Sequence, residues 1–95
     1  MTDCDTIDAR LAEAEALLDN WKTLLTDTQA AIKAAQQAIV SILQGDNEVP
    51  FHLFRALEAL YAQRDWLNGE IATVEAELIE LEKEKKDCDE QQAQG

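Results

Sequence analysis

Glycine and proline are nearly missing from this chain, which has three glycines and one proline in 95 residues, two of these four in the short stretch 45–50. So few turn formers exclude a fold of many short strands joined by tight turns. Basic residues are also scarce, 8 Lys and Arg against 20 Asp and Glu, for a formal charge of −12. That balance speaks against tracking the phosphates of DNA or RNA and against docking on an anionic membrane, both of which need clustered cations. No apolar run approaches the length of a membrane span, and Met1-Thr-Asp-Cys-Asp lacks the basic start and apolar stretch of a secretory signal. A cytoplasmic location is therefore expected, with the two cysteines as thiols.

What the chain does have is a heptad pattern, written twice. The first run reads Cys4, Ile7, Leu11, Ala14, Leu18, Trp21, Leu25, Thr28, Ile32, Ala35, Ile39 and Ile42. The second reads Leu53, Leu57, Leu60, Arg64, Leu67, Ile71, Val74, Leu78, Leu81, Lys85 and Cys88. Spacings alternating between three and four mark the seam of a coiled coil, and abundant Ala, Leu, Glu, Gln and Lys agree with helix by propensity. The expected fold is all-α, an antiparallel two-helix coiled-coil hairpin forming a single unit over 1–95.

Local signals set the expected boundaries. Thr2 suits a helix cap, with Asp3, Asp5 and Asp8 at the positive end of the dipole, so the first helix should span about 3–44. Gly45 suits a left-handed residue after the helix, and the turn should occupy 45–48. The second helix should run from about 48 to 87, with Pro50 inside its first turn and Lys83, Lys85 and Lys86 at its negative end. Residues 89–95 read as a frayed polar tail.

Pairing seam positions across so short a turn singles out one register. With Ile39 facing Leu53, Ile32 faces Leu60, Trp21 faces Ile71 and Leu11 faces Leu81. Two further pairs then coincide: Thr28 meets Arg64, and Cys4 meets Cys88. Sliding by a heptad breaks both.

One hairpin does not finish the burial. Leu17, Leu24, Ala31 and Ala38 recur every seven residues beside the first seam, and the matching flank of the second helix offers Ala56, Gln63, Glu70 and Glu77. A second subunit is expected to cover them, giving a homodimeric or larger helical bundle. Trp66 falls on an outward heptad position and is a candidate contact for a protein partner. Phe51 and Phe54 should close the tip against Leu43, unless Phe51 stays partly exposed as a second contact point.

Signals for chemistry are few. The single histidine, His52, sits by the tip with no serine or cysteine beside it in sequence, and no Cys-x-x-Cys, phosphate-binding loop or inward Glu-x-x-His motif is present. No enzyme activity, cofactor or metal is expected. The cysteines admit three readings: a disulfide clasp, inert thiols in an end layer, or half of a metal site shared with a second copy. Arg64 admits two. With Thr28, it forms a polar layer that sets register and subunit number, or, with Thr28 and the Tyr61 ring one turn away, it awaits an anion.

In length, in helical-hairpin layout and in its Tyr61-x-x-Arg64 pair, the chain resembles the anti-CBASS sponges, small all-helical phage proteins that act against bacterial immunity. The resemblance implies an oligomer that holds a cyclic nucleotide between subunits in the host cytoplasm. Three functions stand as expectations. The first is a non-enzymatic, oligomeric hairpin that works by binding. The second is a sponge holding a cyclic nucleotide through Arg64, Thr28 and Tyr61, and the third an acidic inhibitor that mimics nucleic acid.

Overall fold

A computed structural model describes residues 4–94, with side chains placed through Gln92. Two helices account for nearly all of it: α1 at Cys4–Gln44 and α2 at Phe51–Gln94. Among the described residues there is no strand, and the fold is the all-α hairpin that the heptads predict. The expected cap at Thr2 lies outside the described residues.

The end of α1 is built by its backbone. The Asn47 amide donates to the Ile42 carbonyl at 3.2 Å and the Asp46 amide to the Leu43 carbonyl at 3.1 Å, the paired bonds of a Schellman motif. Its left-handed residue is Asp46, at φ 59°, and not Gly45 as the sequence suggests. An aspartate tolerates this conformation because its short polar side chain bonds locally.

The start of α2 also departs from expectation. It begins at Phe51, with Pro50 just outside and the Pro50 carbonyl accepting from the Leu53 amide at 3.0 Å. A residue that precedes proline is disfavoured in helical conformation, which sets Val49 against a helix starting at residue 48. At the other end the expected frayed tail is helical to Gln94. Nothing between Asp87 and Gly95 breaks a helix, and Glu90, Gln91, Gln92 and Ala93 all favour one. The last turn therefore holds no basic residue, and the three lysines lie too far upstream to complement the dipole.

The chain divides into two compact units, 1–21 with 70–95, and 22–69. In the first, Cys4, Ile7, Leu11, Ala14, Val74, Leu81 and Cys88 form the core, with Leu18, Trp21 and Leu78 packed against it. In the second, Thr28, Ile32, Ile39 and Leu67 are buried, and Leu25, Ala35, Ile42, Leu53, Leu57 and Leu60 are half-buried. Among the described residues every buried one belongs to the heptad seam and no seam residue is fully exposed, because the two facing stripes are the apolar surface that helix packing removes from water.

Candidate interaction surfaces and the Arg64 layer

In the 1–21/70–95 unit the register is fastened by covalent and ionic links. Cys4 and Cys88 are joined by a disulfide, their Cα atoms 6.1 Å apart. Of the three readings of the cysteines this is the clasp, in place of the thiols expected from a cytoplasmic setting. Beside it Lys85 Nζ meets Asp8 Oδ1 at 2.7 Å, and Arg10 Nη1 meets Glu84 Oε2 at 3.6 Å. The hydrogen bond and charge of Asp8 raise the Lys85 amine above the ordinary lysine value of 10.5, with smaller help from Asp89 and Glu15. Both ion pairs are solvent-exposed, so they mark the register more than they stabilise it.

An open groove of about 420 Å³ runs beside the clasp, lined by Thr6, Ile7, Arg10, Glu84, Asp87 and Gln91. A second lies at Leu17, with Arg10, Glu13, Ala14 and Glu77. Among the described residues no group of three or more His, Cys, Asp and Glu side chains is placed to hold a metal.

In the 22–69 unit the polar layer forms with a different partner from the one the heptads imply. Thr28, only 3 % exposed, donates its hydroxyl proton to the Leu24 carbonyl at 2.8 Å and accepts from Gln63 Nε2 at 2.7 Å. Arg64, one residue further on, turns outward. Its Nη2 and Nε lie 3.0 and 3.2 Å from Asp65 Oδ1, and its guanidinium stands 5.0 Å from the Tyr61 ring centroid. The Tyr61 hydroxyl in turn accepts from Gln36 Nε2 at 2.8 Å.

The physical reason is reach and hydration. The long arginine stem lies along the seam while its head stays in water, so the side chain is 37 % exposed, whereas the shorter glutamine amide reaches the buried hydroxyl without desolvating a charge. The structure thus brings Arg64 to Tyr61 and assigns Thr28 to Gln63. The signal that points to Gln63 is its place on the flank adjoining the seam, opposite the first helix, where a side chain lies within reach of a facing polar group.

The flank residues Leu17 and Leu24 remain 41 % and 43 % exposed, and Ala31 and Ala38 are exposed too. Trp66 stands 55 % exposed, as its outward position implies. The tip is not closed: Leu43 and Phe54 remain 57 % and 43 % exposed, Phe51 is 70 % exposed, as the alternative reading of that residue allows, and Val40 is 50 % exposed. Two helices joined by a short turn offer no third element to cover the outer sides of the last turns. Arg55 lies over the Phe51 ring at 5.3 Å from its centroid without burying it.

No protein-family model, curated protein or solved structure matches the chain. No helix is long and apolar enough to cross a membrane among the described residues.

Proposed function

We propose that this chain is a non-enzymatic interaction protein, a helical hairpin that acts by assembling with copies of itself and presenting its surface to a protein partner. The observation that carries this reading is the unburied apolar flank of α1, where Leu17 and Leu24 keep two-fifths of their surface in water. Beside Leu17 stand Arg10, Glu13 and Glu77, charged side chains that leave the leucine uncovered. Burying the remaining two-fifths of both leucines on each of two copies contributes roughly 2–5 kcal/mol toward association. Trp66 adds a large exposed ring of the kind that anchors interfaces. The test is the mass in solution: Leu17→Glu with Leu24→Glu lowers the subunit count seen by light scattering, and a wild-type chain that is monomeric at high micromolar concentration refutes the reading.

A second reading, sequestration of a cyclic nucleotide, is favoured by the guanidinium of Arg64 standing over the Tyr61 ring, a pair suited to a phosphate beside a base. Asp65 already accepts from Nε and Nη2 of that guanidinium, so an incoming phosphate meets a carboxylate beside it. A cyclic dinucleotide that raises the melting temperature of the wild type but not of Arg64→Leu supports sequestration; no shift with any nucleotide removes it.

A further inference from the structure

The 1–21/70–95 unit packs together two segments of the same charge. Residues 1–21 carry 6 carboxylates against 1 arginine, and 70–95 carry 9 against 3 lysines, a net −11 of the −12 of the whole chain. Two of the four cations, Arg10 and Lys85, meet carboxylates of the facing helix, but both pairs are solvent-exposed and therefore weak. Segments of like charge repel, most strongly at low ionic strength. Against that repulsion stands the buried seam of this unit, Ile7, Leu11, Ala14, Val74 and Leu81.

The Cys4–Cys88 bond adds a covalent tie between the two segments. Once it is broken, the chain path from one cysteine to the other is a sequence separation of 84 residues, so the backbone no longer imposes their contact. The bond is also within reach of a reagent. Cys4 and Cys88 are both buried, yet Cys88 forms part of the wall of the open groove of about 420 Å³ beside the clasp, which has room for a small dithiol.

We propose that the Cys4–Cys88 disulfide is a redox switch. Oxidised, it holds the two acidic segments in contact; reduced by a dithiol, it lets their charge part them and bares the seam at Ile7, Leu11 and Leu81. A thiolate of the dithiol attacks Cys88 Sγ from the groove, forming a mixed disulfide and releasing Cys4 as a thiolate. The second thiol of the reagent then displaces Cys88, and the reagent leaves as a cyclic disulfide. Two electrons pass from the dithiol to the cysteines, and its two protons end on the two cysteine thiols. The parted segments, rich in Ala, Leu and Glu, keep their helical conformation. The switch is independent of the self-association reading, since every group it uses belongs to one copy.

Hydrogen exchange read by mass tests it on the full chain, oxidised and reduced with dithiothreitol, at about 10 mM and about 1 M neutral salt, between which the Debye length falls from about 30 Å to about 3 Å. Reduction at low salt is expected to speed exchange on the order of tenfold in 4–21 and 70–94 while leaving 22–69 as it was, and high salt to reverse most of the change. Cys4→Ser with Cys88→Ser is expected to do the same without a reductant, so the result does not hang on the reagent reaching the bond. Trp21, half-buried in this unit, supplies a second reading: in a Trp66→Phe background, acrylamide is expected to quench it more strongly after reduction. Equal protection of 4–21 in the oxidised protein and the serine variant at low salt overturns the proposal. So does loss of protection across 22–69 as well, which makes the bond a staple of the whole fold, and so does an opening that salt leaves unchanged.

Discussion

Thr28 and Gln63 form the polar layer in the middle of the hairpin, the buried hydroxyl of one accepting a hydrogen bond from the amide of the other at 2.7 Å. Arg64, the residue at the seam position, takes no part in that bond and pairs with Asp65. The two neighbours on α2 therefore carry different energetic weight, and substitution separates them. Gln63→Ala removes a net hydrogen bond to a buried group and is expected to cost about 0.5–1.5 kcal/mol in urea unfolding. Arg64→Leu gives up an exposed ion pair, worth roughly 0–1 kcal/mol, and gains apolar seam, so stability is expected to hold or rise. The opposite order would return Arg64 to the role of Thr28's partner.

The Cys4–Cys88 bond spans a sequence separation of 84 residues. Loop closure in the unfolded chain predicts that such a link stabilises by roughly 4–5 kcal/mol. Reduction, or the Cys4→Ala and Cys88→Ala pair, is expected to lower the urea midpoint by a corresponding amount without changing helicity. Thiol alkylation of the native protein before and after reduction, read by mass, checks that the bond is present.

Gly69 lies inside α2, and a Cβ built there meets no atom within 4 Å. Gly69→Ala therefore costs nothing sterically and removes backbone freedom from the unfolded chain. A gain of about 0.5–1 kcal/mol is expected, read as a higher melting temperature at unchanged mass.

Asp46 holds a left-handed conformation and places a carboxylate just past the negative end of α1. Glycine meets neither penalty. Asp46→Gly is expected to stabilise by up to about 1 kcal/mol, with Asp46→Ala moving the other way because alanine keeps the steric cost and loses the local bonding.

The Lys85–Asp8 pair gives the alkaline limb of stability its sign. The lysine's folded value is raised above 10.5, so its contribution is fully present below that pH and is lost as the pH climbs through the raised value. Lys85→Met is expected to flatten this part of the pH–stability profile relative to wild type while leaving the neutral range nearly unchanged. A profile parallel to that of the wild type above pH 10.5 counts against the pair.

Much of this molecule was legible in the order of its residues. A seam repeating every three or four positions specifies a helix and its buried stripe wherever it occurs, so which residues are buried follows from periodicity alone. The placement of Cys4 opposite Cys88 followed as well, because a short turn and facing stripes leave few registers and only one aligns the exceptions, although a bond between them was one of three readings. Three features needed the tertiary structure. Gln63 rather than Arg64 meets Thr28, since heptad position says which side chain points inward but not which has the reach and the cheaper desolvation. The left-handed residue is Asp46 rather than Gly45, since the Schellman hydrogen bonds, and not residue preference, decide where the helix stops. Leu43, Phe51 and Phe54 stay in water, since hydrophobic character drives burial only where another element is present to cover it, and two helices that end in a turn supply none.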